Sequence, residues 1–97
     1  MSQFNELEDD EHERLVLLLE ELGEAQQAIG KILRHGYESY NPVVNTGMTN
    51  RRELEEELGD IAAAVTMLCN SKDVNSIGIE SRRVRKLDSV KRWLHHQ

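Results

Sequence analysis

Apolar residues recur at alternating spacings of three and four in two separate stretches and at a looser helical spacing in a third, and this rhythm points to helices. In the first stretch they fall at Leu15, Leu18, Leu22, Ala25, Ile29 and Ile32, which predicts a helix from about Glu11 to Arg34. Gly36 is placed to end it, with Arg34 and His35 suiting a helix C-terminus. A second helix is expected from a Thr49 or Asn50 cap to about Cys69, with Leu54, Leu58, Ile61, Val65 and Leu68 on one side. A third covers Ser76 to His95, turning Ile79, Val84 (or Arg83), Leu87, Val90 and Leu94 inward. Gly78 and the β-branched residues near it blur its start. Residues 36–50 hold the only proline and several turn formers, so they read as a loop long enough to have a function of its own. Residues 70–73 form a short connector, and short connectors make antiparallel neighbours. The expected fold is all-α, a single helical domain over 1–97, with 1–10 a flexible N-terminus. Gly23 and Gly30 interrupt the first helix at a cost of about 1 kcal/mol each relative to alanine, which implies close packing of a helix or ligand there.

A chain of 97 residues with 38% apolar content and four aromatics (Phe4, Tyr37, Tyr40 and Trp93) builds only a thin core, so association with a second copy is expected. Eighteen acids against twelve bases give a net charge of −6, against the basic excess a nucleic-acid binder needs. The charge is graded: −8 over residues 1–30, −2 over 31–79 and +4 over 80–97. Two readings stay open, solvated helix faces that complement each other or a basic segment serving a metal-chelated anion. The lone Cys69 gives neither a disulfide framework nor a zinc set, and reads as a small core residue. No apolar run approaches the roughly 20 residues of a membrane span, and the N-terminus lacks the pattern of a signal peptide. A cytoplasmic, soluble protein with no membrane partner is expected.

Two acidic clusters do not sit comfortably on solvated faces. They are Glu20-Glu21-Leu22-Gly23-Glu24 and Glu56-Glu57-Leu58-Gly59-Asp60. Glu21 and Glu24 project together at a spacing of three, as do Glu57 and Asp60. At about 100° per residue, Glu21 lies roughly 70° from the centre of its apolar stripe and Glu57 about 60° from its own. Both are therefore expected at the core boundary, with Glu24 and Asp60 farther round. Like charges at this spacing cost tenths of a kcal/mol per pair, and two such pairs on packed helices repel without a cation between them. Mg²⁺ suits such a cage, being a hard cation that takes a few carboxylates and keeps positions for water and phosphate oxygens. The alternative is that acid-rich helices are ordinary, a single Glu-x-x-Glu being weak evidence.

Glu20-Glu21-x-x-Glu24 followed by Glu57-x-x-Asp60, the latter in a Leu-Gly-Asp-Ile setting, resembles the paired acidic motif of the MazG-like all-α nucleoside triphosphate pyrophosphohydrolases. That superfamily includes dimeric dUTPases and phosphoribosyl-ATP pyrophosphatase, and the similarity covers residues 12–95. It implies a MazG-like bundle of antiparallel helices completed by oligomerisation, as a homodimer or homotetramer. It also implies that Glu21, Glu24, Glu57 and Asp60 are the catalytic, Mg²⁺-binding acids, with Mn²⁺ able to substitute and Glu20 in a supporting role. The implied reaction cleaves a (d)NTP between the α and β phosphates to a (d)NMP and pyrophosphate. The stretch from Ala25 to Glu56 is longer than in compact members, the excess falling in the loop at 36–50, where substrate choice would be set.

The phosphates need cations. Lys31 lies two turns beyond Glu24 on nearly the same face and Arg34 one turn later; both are candidate phosphate contacts, or charges that settle the helix dipole. On the third helix Arg83 and Lys86 share one side and form the preferred pair. Tyr37, Tyr40, Asn41 and Trp93 can stack or hydrogen-bond a base and sugar, Trp93 being better suited to a core or dimer contact. His35 suits a cap or a phosphate, and Met48 and Met67 suit packing. Two rivals remain: a non-catalytic helical protein whose acidic faces dock a basic target, and the same fold acting on phosphoribosyl-ATP or a modified nucleotide.

Overall fold

The computed structural model describes residues 4–40, 43 and 47–97. Helix α1 spans Asp9–His35, α2 Asn50–Asn70 and α3 Ser76–Ser89, followed by a 3₁₀ turn at Val90–Arg92; the described residues contain no strand. The all-α expectation holds. Of the stretch 1–10, residues 1–3 lie outside the described residues, and Asp9 and Asp10 belong to α1.

Each boundary has a local cause. At the start of α1 the Glu8 backbone N–H donates to the Glu11 carboxylate at 2.9 Å, and three acids in the first turn meet the positive end of the helix. The helix stops at Gly36, whose φ of 88° lies in the left-handed region that glycine enters without a Cβ penalty. At the other side of the loop, the Thr49 hydroxyl accepts from the Arg52 N–H at 3.2 Å. The next unpaired amides of α2 are satisfied by the loop itself: Asn50 N–H donates to the Ser39 carbonyl and Arg51 N–H to the Tyr37 carbonyl, each at 2.8 Å. The buried Asn50 side chain adds a bond from Nδ2 to the Gly36 carbonyl at 3.1 Å. The chain leaving α1 is thereby tied to the beginning of α2. At α3, the Asn75 side chain caps by accepting from Ile77 N–H at 2.8 Å and Gly78 N–H at 3.4 Å.

Helices α1 and α2 pack antiparallel. Arg14 near the start of α1 pairs with Asp73 just beyond the end of α2, while Lys31 near the end of α1 pairs with Glu53 near the start of α2. The Arg14 fork donates from Nε to Asp73 Oδ2 at 2.6 Å and from Nη2 to Oδ1 at 2.9 Å, fastening the α2–α3 connector to α1. Between these ends the helices meet through small residues: Ala25, Ala28 and Ala64 are buried, together with Leu68. Alanine at the contact allows close approach of the axes, but leaves little apolar area to bury.

The third helix departs from expectation. It packs chiefly against its own 3₁₀ turn and not broadly against α1 and α2, so of the residues expected inward Ile79, Val84, Leu87 and Leu94 are exposed and only Val90 is half-buried. It also ends at Ser89 instead of His95, because its last turn has no packing partner and tightens to the Trp93 N–H to Val90 carbonyl bond at 3.0 Å. Trp93 is 77% exposed. Leu15, Leu22 and Ile29 on α1 and Leu58 on α2 are also exposed, and a Cβ at Gly23 or Gly30 would meet nothing within 4 Å. The close packing expected at those glycines is absent within one chain. The radius of gyration, 17.0 Å, exceeds the roughly 12–13 Å of a compact chain of this length.

Candidate metal centre

The antiparallel register of α1 and α2 puts residues near 22 opposite residues near 58, and so sets the two acid pairs face to face. Glu21 and Glu24 on α1 and Glu57 and Asp60 on α2 each offer a carboxylate oxygen, and these atoms all lie within 4.8 Å of one another. Glu21 and Glu57 are half-buried, as their helical phase predicts, whereas Asp60 is exposed.

One oxygen of each half-buried acid, Glu21 Oε2 and Glu57 Oε2, is shielded from solvent and has no hydrogen-bond partner. A buried, unpartnered carboxylate oxygen is costly, and two aimed into the same acidic cluster are more so. The titration behaviour follows from this. Burial raises the Glu21 pKa above the ordinary carboxylate value, with the charges of Asp60 and Glu24 adding to it. Burial likewise pushes Glu57 up to about 7, reinforced by the neighbouring Glu24 carboxylate and by the charges of Asp60 and Glu21. Oxygen-only donors, two orphaned oxygens and mutual repulsion fit a hard divalent cation, which would satisfy the oxygens and cancel the repulsion.

A cavity of about 530 Å³ opens beside the cluster, bordered by Glu24, Glu57, Asp60, Lys31, Met48 and Glu53 among others. Lys31 reaches it as its phase predicts, with its ammonium 3.2 Å from Glu53 Oε2. Arg34 and His35 border a second cavity of about 420 Å³, also lined by Tyr40 and Asn50, which shares the Lys31 and Glu53 wall. Tyr37 is elsewhere: its ring is covered by the Arg51 guanidinium, 4.3 Å from the centroid. Arg83 is engaged by Glu80 one turn back on α3, at 2.6 Å, and neither it nor Lys86 borders the acid cavity. Asn41 lies outside the described residues. Sequence reasoning passed over Glu53 and took Asn50 only as a possible cap, although they precede Glu57 by four and seven residues and so share its face of α2.

An antiparallel helix pair that gathers opposed Glu-x-x-Glu and Glu-x-x-Asp carboxylates within 4.8 Å of one another belongs to the class of helical proteins with a carboxylate cluster between facing helices. The model of the MazG nucleotide pyrophosphohydrolase domain matches residues 10–94, and the chain belongs to that family. No curated protein and no solved structure gives a significant match.

The raised Glu57 pKa has a definite sign in stability. Its folded value lies above its unfolded one, so its contribution is fully present below the unfolded pKa of 4.5 and is lost as pH rises through about 7. In a chelator, the melting temperature should fall from about pH 5 to about pH 7 in wild type, and less steeply in Glu57→Gln. A wild-type profile as flat as that of the variant would contradict the assignment.

Proposed function

We propose that the protein is a Mg²⁺-dependent nucleoside triphosphate pyrophosphohydrolase, converting a (d)NTP to a (d)NMP and pyrophosphate. The observation that carries this reading is the gathering of four carboxylates, two with orphaned buried oxygens, in a chain of the MazG family. Glu21, Glu24, Glu57 and Asp60 would hold Mg²⁺, with Mn²⁺ able to replace it. When bound, the cation supplies charge neutralisation to the triphosphate and makes a coordinated water easier to deprotonate. The acids then fix the direction from which water approaches. One carboxylate oxygen of the cluster accepts the water's proton as its oxygen bonds to phosphorus and the bridging P–O bond breaks, releasing pyrophosphate. Lys31, which borders the acid cavity, and Arg34, which borders the neighbouring one, would offer positive charge to the phosphates.

The same reading accounts for the exposed apolar residues of α1 and α3. A homodimer or homotetramer would cover them and could bring Arg83 and Lys86 of one copy to the phosphates held by another. The work of such an enzyme would lie in a cytoplasmic nucleotide pool.

Incubation of the common NTPs and dNTPs with Mg²⁺, followed by assay of monophosphate and pyrophosphate, tests the activity. Glu57→Ala should reduce turnover by about 100-fold or more, the scale of losing a metal-holding or proton-accepting group. Absence of turnover with every nucleotide, or unchanged turnover in Glu57→Ala, would sink the proposal. Light scattering should return at least twice the 11.2 kDa chain mass, and a monomer at micromolar concentration would refute the assembly.

A further inference from the structure

Two features of α1 are used neither by the acid cluster nor by the contact with α2. The first is a second apolar stripe. Leu15, Leu19, Leu22, Ile29 and Leu33 are between 42% and 82% exposed, and with the exposed Gln26 they follow spacings of four, three, four, three and four. That is the heptad rhythm of a helix–helix seam. At about 100° per residue the stripe lies roughly 100° round α1 from the Ala25 and Ala28 contact, and on the opposite side from Glu24.

The second feature is the placing of two glycines. Gly23 and Gly30 stand seven residues apart, each directly after a stripe residue, so both fall on one flank of the stripe. Glycine weakens a helix interior and is of use where another backbone comes close, yet within the chain a Cβ at either position would meet nothing within 4 Å.

The spacing of the stripe reads the same in both directions, so it matches a reversed copy of itself. In that register Leu15 meets the partner's Leu33, Leu19 the partner's Ile29, Leu22 the partner's Gln26, and Gly23 lies across from the partner's Gly23. The flanking positions Val16, Leu18, Gly23, Ala25, Gly30 and Ile32 carry no charge, so two copies of an acidic helix meet along the seam without like-charge repulsion. The ends are complementary in charge. A reversed copy sets the acidic first turn, Asp9, Asp10 and Glu11, toward the partner's Arg34 and the partner's His35, whereas a parallel copy would set like beside like. Helix α3 offers another apolar face, but Arg83, engaged by Glu80, stands within it.

We infer that the Leu15–Leu33 stripe of α1 is a self-association seam, on which a second copy docks its own α1 antiparallel. The inference rests on the assembly proposed above and not on the nucleotide chemistry. Because Glu24 faces away from the stripe, the docked copy leaves the acid cluster open.

Light scattering on the full chain at micromolar concentration reads the seam. Leu19→Glu should at least halve the wild-type particle mass, whereas Leu87→Glu on α3 should keep at least twice the 11.2 kDa chain mass. In a Cys69→Ala background, Gly23→Cys should form a disulfide-linked dimer on mild oxidation, since the register brings the two positions toward the Cα separation of about 4.4–6.8 Å that a disulfide needs. Gln26→Cys should not link, because it faces the partner's Leu22. An unchanged mass in Leu19→Glu, a monomer in Leu87→Glu, or linkage through Gln26→Cys but not Gly23→Cys would each overturn the seam. A monomeric wild type would overturn both the seam and the assembly. A dimer linked through Gly23→Cys that hydrolyses no nucleotide would support the seam and refute the catalytic reading.

Discussion

The arrangement of this protein turns on the mutual repulsion of four carboxylates held between two antiparallel helices. Everything that fixes the α1/α2 register also fixes that repulsion: the Arg14–Asp73 fork at one end, the Lys31–Glu53 pair at the other, and the alanines between. A thin alanine contact offers little burial to offset the clustering of like charge, and two of the carboxylate oxygens are also stripped of water. Protonation relieves part of the strain, which is why Glu57 holds its proton toward neutrality. A divalent cation would relieve more, and would tie folding to ligation. On this account the centre is a cost of folding that becomes a source of binding free energy.

The rest of the architecture serves or extends that pair. The loop leaving α1 folds back onto the start of α2 through Asn50 and the Gly36, Tyr37 and Ser39 carbonyls. The connector beyond α2 is clamped to α1, but α3 then projects away with its apolar residues exposed. The acidic first third and basic last third are therefore not brought into broad contact within a chain. Their complementarity would be available between copies in the proposed oligomer.

Much of the α1/α2 pair was legible because helical phase is a local property. Gly36 as the stop, Thr49 as the cap, and Glu21 and Glu57 at the core boundary all follow from spacing and side-chain chemistry. The meeting of the two acid pairs was legible only once two helices of known phase were taken to be antiparallel. The place of α3 was not, because amphipathicity says that a face must be covered and not what covers it. Tyr37 and Tyr40 looked equivalent in sequence; the pairing of Arg51 with one ring and the tie at Ser39 beside the other are tertiary facts. Glu53 and Asn50 were readable from their shared face with Glu57, but they lacked the paired-acid pattern that drew attention to the others.

The central claim, that the four carboxylates form a cation site, is tested most directly by a crystal structure grown with Mn²⁺ and recorded at the manganese absorption edge. The expected result is an anomalous peak enclosed by oxygens of Glu21, Glu24, Glu57 and Asp60, at ligand distances of about 2.0–2.3 Å. Manganese bound only elsewhere on the chain, or a cluster that stays free of it at millimolar concentration, would contradict the account.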